Sequence, residues 1–175
     1  MATREIRTFG DPVLRQRARE IDEVTDLHRK LIKDMIDTMR VAPGVGLAAP
    51  QIGVLERIFV WEVEERHGAV VNPRIIRRSS EAVTEDEGCL SVPGLTYPVE
   101  RSAEVTVTGL DEHGRPIEIP AADLLARVFQ HEIDHLDGTL FIDRLPEDLR
   151  KDALRTIREQ ALGLPPAVRP REEML

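Results

Sequence analysis

The segment from Asp123 to Asp137, DLLARVFQHEIDHLD, restricts the possible folds of this chain more than any other. Its apolar residues recur at helical spacing and Gly138 follows as a C′ residue, so the pattern predicts a helix over about these bounds. At about 100° per residue, Leu124, Leu125, Val128, His131, Glu132 and His135 share one face, and Arg127, Gln130, Asp134 and Asp137 share the opposite, polar one. Two imidazoles and a carboxyl therefore fall on the face expected to be buried. Without partners they would cost roughly several kcal/mol there, so the fold has to supply a compensating group. HEIDH is an HExxH pattern, with histidines at i and i+4 able to bind one cation and Glu132 beside them. The alternative, a chance match on an exposed polar helix, fits the apolar side of this helix poorly.

Two histidines leave a metal short of ligands. In HEIDHLDGTLF the glycine of a longer HExxHxxGxxH pattern is kept as Gly138, but Phe141 stands where a third histidine would be. The chain has one cysteine, Cys89, within EGCLS. A Cys-His-His set with water in the fourth position would be an open, catalytic site rather than a closed, structural one. Spacing alone leaves two other readings open: Cys89 as a small buried hydrophobe, and Asp143 as a carboxylate ligand in its place.

The remaining pattern suggests an α+β domain. Leu27, Leu31, Met35 and Met39 recur at spacings of four, predicting an amphipathic helix from about Thr25, a ready N-cap, to Met39. A third helix is predicted from about Glu147 to Leu162, ending at Gly163. Strands are expected at RIFVWEV (57–63), AVVNP, SAEVTVTGL and PIEIP, in antiparallel arrangement, while Pro43, Gly44, Gly46, Pro50 and Gly53 make GVGLAAPQIG an irregular loop or strand edge. The expected architecture is antiparallel sheets packed around the central HExxH helix, with one helix towards each terminus. Residues 1–163 are expected to form a single catalytic domain, and 164–175, Pro-rich and charged, a mobile tail.

Composition narrows the function. Lys and Arg total 24 against 32 Asp and Glu, a formal charge of −8, and aromatics make up only 3%. Both disfavour DNA or single-stranded nucleic acid as substrate. MATREIRTFG lacks the apolar run of a secretory signal, and no uncharged stretch is long enough to span a bilayer, so a cytoplasmic protein away from membranes is expected.

Three segments, GVGLAAPQIG (44–53), EGCLSVPG (87–94) and QHEIDHLDG (130–138), together resemble the signature motifs of the peptide deformylases, in that family's order. The likeness extends to GDPVLR, to VNP at 71–73 and to Arg101, and looks like the compact bacterial type. It implies a hydrolase that removes the formyl group from N-formylmethionyl nascent peptides. By position it implies Cys89, His131 and His135 as metal ligands and Glu132 as general acid/base. It also implies Gln51 as an amide facing the reacting oxygen, and the Leu90 N–H as the second donor to that oxygen. Val45 and Gly46 match the edge along which the substrate backbone lies, and Gly88 is expected beside it.

Each role has a physical reason. A metal lowers the pKa of its water from 15.7 to about 7, so Glu132 can create a hydroxide to attack the formyl carbon, and later protonate the leaving amine. Gln51 and Leu90 would stabilise the charge that builds on the formyl oxygen. Val45, Leu124 and Val128 are candidates for the methionine pocket, with Arg127, on the polar side, reaching an exposed part of the peptide. Thiolate and two imidazoles are compatible with Zn²⁺ or Fe²⁺, and their softness does not decide between the two. The resemblance implies Fe²⁺ in the cell, with Zn²⁺ or Ni²⁺ as occupants of purified material. The competing readings are a zinc endopeptidase with the same motif and a protein whose metal is purely structural. Arg150, Lys151, Arg155 and Arg158 form a basic stripe on the third helix, either a solvated face or a transient contact to the ribosome.

Overall fold

The computed structural model describes residues 2–164. The expected tail therefore lies, apart from Leu164, outside the described residues. In chain order the elements are α1 (Asp26–Val41), β1 (Gly46–Ala48), β2 (Ile58–Val63), β3 (Arg66–Arg78), β4 (Ala82–Cys89), β5 (Val92–Ser102), β6 (Glu104–Leu110), β7 (Pro116–Ala122), α2 (Asp123–Leu136) and α3 (Glu147–Ala161). Five strands form one antiparallel sheet in the order β1-β2-β3-β6-β7, and β4 pairs with β5 in a separate two-stranded sheet. This is the α+β architecture that the periodicities predict.

Two helices cover the larger sheet. Phe59, Trp61, Val70, Val105 and Val107 meet Leu125, Ala126, Val128 and Phe129 of α2 in one cluster. Ile58, Val60 and Val71 meet Leu31, Ile32, Met35 and Met39 of α1 in another. The alternation along β2 explains this division, because successive side chains of a strand point to opposite faces. A third cluster joins β5 and Cys89 to Leu140, Phe141 and Ile142 and to Ala153 of α3. On α1 the apolar stripe holds except at its start: Leu27, expected on the buried stripe, is 80% exposed because it lies in the first turn, outside the cluster under α1. Thr25 does stand at the N-cap position, and its backbone N–H donates to His28 Nδ1 at 2.9 Å.

The segment GVGLAAPQIG resolves into the short strand β1 and a 3-10 turn, Ala49–Ile52. β1 is an edge strand of its sheet. The β4–β5 hairpin was not expected from the sequence. Its strands carry Pro93, Gly94 and Pro98 and a run of exposed acids, which mask the period-2 signal.

One expectation fails on α2. The polar side is not exposed: every residue from Leu125 to Leu136 is buried. Its opposite face lies against the β4–β5 sheet, and its charges are matched by partners there rather than by water. Arg127, expected to reach an exposed part of a peptide, is only 4% exposed and donates to Glu87 and to backbone carbonyls of β4 and β5.

Candidate functional site

Cys89 ends β4, and the tight turn Leu90–Ser91 follows it, with Cys89 paired to Val92 across the hairpin. His131 and His135 lie one turn apart on α2. Where the hairpin crosses the helix, three donor atoms converge: Cys89 Sγ is 3.3 Å from His135 Nε2, and His135 Nε2 is 3.2 Å from His131 Nε2. All three residues are buried, and their ligand atoms lie within 4.8 Å of one another. Among the described residues this is the one group of at least three His, Cys, Asp or Glu side chains that could hold a metal ion. Asp143, the rival ligand, is elsewhere: its Oδ2 accepts from the Leu140 N–H at 2.9 Å and pairs with Arg15.

The ring of His131 is oriented from behind. Its Nδ1 is 2.6 Å from Glu87 Oε2, so with the proton on Nδ1 the Nε2 lone pair faces the cluster. Glu87, 1% exposed, is itself held by Arg101, whose Nε and Nη2 donate at 3.1 and 2.7 Å, and by Arg127 Nη1 at 2.9 Å. Burial alone would raise its pKa. His131 and Arg101 outweigh burial and hold the carboxyl well below the usual carboxylate range. Arg101 also donates to Asp134 at 2.7 Å, and Arg144 grips Asp134 from the surface at 2.8 Å. Glu87 could have been anticipated from a general rule: a metal-ligating histidine almost always hands its other N–H to a carboxylate or carbonyl.

Glu132 is in the opposite condition. It is fully buried, and neither carboxyl oxygen has a hydrogen-bond partner among the described residues. Burial, reinforced by Glu87 and only partly opposed by Arg101, pushes its pKa well above the ordinary value. The carboxyl rests against Gly46 of β1, where an added Cβ would come within 2.5 Å of Oε1 and 3.0 Å of Val128 Cγ1. The glycine is there because the carboxyl needs the space. Gly44 plays the same part for Leu90, whose Cδ1 would be 2.7 Å from a Cβ.

Gln51 is buried in the 3-10 turn after β1. Its Oε1 accepts from the Ala48 N–H at 2.9 Å, and its Nε2 donates to Ser91 Oγ at 3.1 Å while lying 3.7 Å from Cys89 Sγ. Gln51 thus does cap its loop, as a structural amide would, yet its NH₂ end faces the thiol. Gly88 is buried in β4 opposite Thr96. Val45 and Leu124 line a cavity of about 560 Å³ with Trp61, Val63, Glu64 and Arg66, whereas Val128 is buried beneath, against Gly46.

The donor set suits a divalent cation. Two imidazole nitrogens and a thiol crowd together without solvent, and His135 Nδ1 has no partner among the described residues. Burial raises the Cys89 thiol, with Glu132 and Glu87 pushing the same way, and lowers His135, with His131 adding to the effect. A cation at the centre reverses the first tendency by favouring thiolate and reinforces the second by favouring neutral imidazole.

The family model described as polypeptide deformylase matches residues 3–151. The chain is 54% identical over 159 residues to the peptide deformylase of Acidothermus cellulolyticus, covering 91% of this chain and 88% of that one. In three dimensions it resembles the crystal structure of a peptide deformylase from Legionella pneumophila at 41% identity, with a TM-score of 0.86 over 92% of this chain and 96% of that one. It also resembles that from Ehrlichia chaffeensis in complex with actinonin at 38% identity, with a TM-score of 0.87 over 91% and 98%.

Proposed function

The chain belongs to the polypeptide deformylase family, and on that premise we propose how its buried centre removes the N-formyl group from N-formylmethionyl nascent peptides, releasing formate. The enzyme is a metal-dependent amide hydrolase, and the observation that carries the assignment of its centre is the convergence of Cys89, His131 and His135 beside a Glu132 carboxyl with no hydrogen-bond partner among the described residues. These three side chains are the ones that would hold the metal, Fe²⁺ in the cell and Zn²⁺ or Ni²⁺ in purified material. When bound, the cation supplies Lewis acidity and lowers the pKa of water in the site.

Glu132 carries the proton. A bound cation favours its ionised form, and the carboxylate, enclosed and with no hydrogen-bond partner among the described residues, takes a proton from the water that attacks the formyl carbon and returns it to the leaving amine nitrogen. The Gln51 amide has two N–H groups. One is donated to Ser91, and the other, donated to Cys89 Sγ at 3.7 Å, would turn to the formyl oxygen as charge builds on it. The Leu90 N–H, in the turn directly after Cys89, is the second donor to that oxygen. Removing one such donor typically costs about 2.7–4 kcal/mol of transition-state stabilisation.

Substrate recognition uses the free edge of β1. A peptide laid against Val45 and Gly46 adds a strand to the sheet, with Gly88 across from it, and is read mainly through its backbone. The methionine side chain then rests on the apolar surface of Val45 and Leu124, with Val128, expected in this pocket, buried beneath them. Residues 1–163 act as one catalytic domain in this reading. Its cellular setting is the cytoplasm, where nascent chains emerge; among the described residues no helix is long and apolar enough to cross a membrane.

A transient ribosome contact would run through the basic residues of α3. Lys151 and Arg155, two of its four cations, are already paired with Glu147 and Asp152 of the same helix. Such a contact would weaken steeply as salt is raised. An endopeptidase of the same HExxH class is not favoured, since the family match is to deformylases. The deciding experiment is formate release from a formyl-Met peptide beside its unformylated control, with metal content measured on the same preparation. Cleavage of an internal peptide bond without formate release would reverse the assignment.

A further inference from the structure

Arg127 stands on α2 one turn before His131, and its guanidinium is enclosed. Its fork meets three acceptors in three directions: Nη1 donates to Glu87 Oε1 at 2.9 Å and to the Val99 carbonyl at 2.8 Å, and Nη2 donates to the Val83 carbonyl at 3.0 Å. Val83 and Glu87 lie on β4, the strand that ends at Cys89, and Val99 lies on the paired strand β5. One side chain therefore ties the helix bearing two of the converging donors to the hairpin bearing the third.

The carboxylate that it holds is the one that orients His131. Each oxygen of Glu87 has two partners: Oε1 accepts from Arg101 Nε and Arg127 Nη1, and Oε2 meets Arg101 Nη2 and His131 Nδ1. Arg101 divides its charge between Glu87 and Asp134. Arg127 is thus the second guanidinium that holds the buried Glu87 carboxyl in the rotamer facing His131. Lysine offers one point charge in place of this planar fork and cannot reach all three acceptors at once.

We propose that Arg127 is a positioning residue for the deformylation site, fixing the ring of His131 through Glu87. The proposal rests on the reading of Cys89, His131 and His135 as the metal ligands. It differs from a purely structural clamp in one respect: its effect on the metal has to pass through Glu87.

A double-mutant cycle with Co²⁺ as the probe separates the two. Wild type, Arg127→Met, Glu87→Gln and the double variant are loaded with Co²⁺. The rate of Co²⁺ loss to a chelator, the visible spectrum and the melting temperature of the metal-free form are then measured. Arg127→Met is expected to lose Co²⁺ about 10–100-fold faster, with a shifted spectrum, whereas adding it to Glu87→Gln changes little. An equal acceleration in both backgrounds with an unaltered spectrum would overturn the proposal and leave a clamp. If Arg127→Met does not fold, Arg127→Lys serves: faster release with a shifted spectrum supports the proposal, and wild-type release with a wild-type spectrum sinks it. Failure of the underlying reading is recognisable separately, as a wild-type protein that binds no Co²⁺ through Cys89.

Discussion

Glu132 and Glu87 show how far burial leaves the state of a carboxyl to its neighbours. Glu87, among two guanidinium groups and an imidazole, is held towards the ionised form; Glu132, with no hydrogen-bond partner among the described residues, is driven towards the neutral acid in the metal-free protein. Glu132→Gln keeps size and polarity and removes the proton carrier. Its kcat should fall toward the upper end of the 10²–10⁴-fold range typical of general acid/base catalysis, with metal content near that of wild type by elemental analysis. The same residue sets a pH dependence in the metal-free protein. Its folded pKa lies above the unfolded value of about 4.5, so the native state holds a proton that the unfolded chain releases, and stability falls as pH rises from there toward the raised value. In urea melts at neutral pH, metal-free Glu132→Gln should therefore be more stable than metal-free wild type, and its stability should vary less with pH across that interval. Cys89→Ser is expected to lose both tight metal binding and activity, since a hydroxyl stays protonated where a thiol can be ionised by a cation. A serine variant that kept its metal would move the ligand assignment away from Cys89.

At the scale of elements, the site is a crossing of β1, the β4–β5 hairpin and α2, and the sequence revealed these three unequally. Helix α2 was legible because its period is strong and HEIDH falls on the apolar face. The role of its other face was not: Arg127, Gln130 and Asp134 read as solvated because periodicity cannot distinguish water from a second sheet supplying Glu87, Arg101 and the Ser102 backbone. The β4–β5 hairpin escaped because prolines and exposed acids obscure its alternation, so Cys89 could be placed on a motif but not on a strand. Gly46 was legible as part of a substrate-binding edge, but the space that it leaves for the Glu132 carboxyl was not, being a contact between residues distant in sequence. Gly46→Ala tests that contact. The backbone tolerates alanine in a strand, but the Cβ would displace Glu132 Oε1, and a misplacement of about 1 Å at a reacting group can cost about 10²-fold. Activity should drop by about that factor while far-UV circular dichroism remains that of wild type.

Over the whole molecule, a chain of charges runs inward from the half-exposed Arg144 through Asp134, Arg101 and Glu87 to His131. Three apolar clusters surround it, so removing the metal should leave the fold intact but less stable. At a metal concentration about a thousandfold above its Kd, binding contributes about 4.1 kcal/mol, and at roughly 2–4 °C per kcal/mol for a domain of this size, chelation should lower Tm by roughly 8–16 °C. An unchanged Tm would mean that the centre holds no metal under those conditions. The depth of that centre also governs how the enzyme ages. The chain has a single thiol, and it is wholly enclosed at the end of β4, so it has no partner within the chain and no route to one on another molecule. Air can still inactivate the iron form, because oxygen is small enough to enter where a second protein is not. The damage should then appear as oxygen atoms added to Cys89, sulfenic or sulfinic acid, in the intact mass. On a non-reducing gel the spent enzyme should run as a single chain beside the fresh one, and thiol reductants added after sulfinic acid has formed should not bring it back.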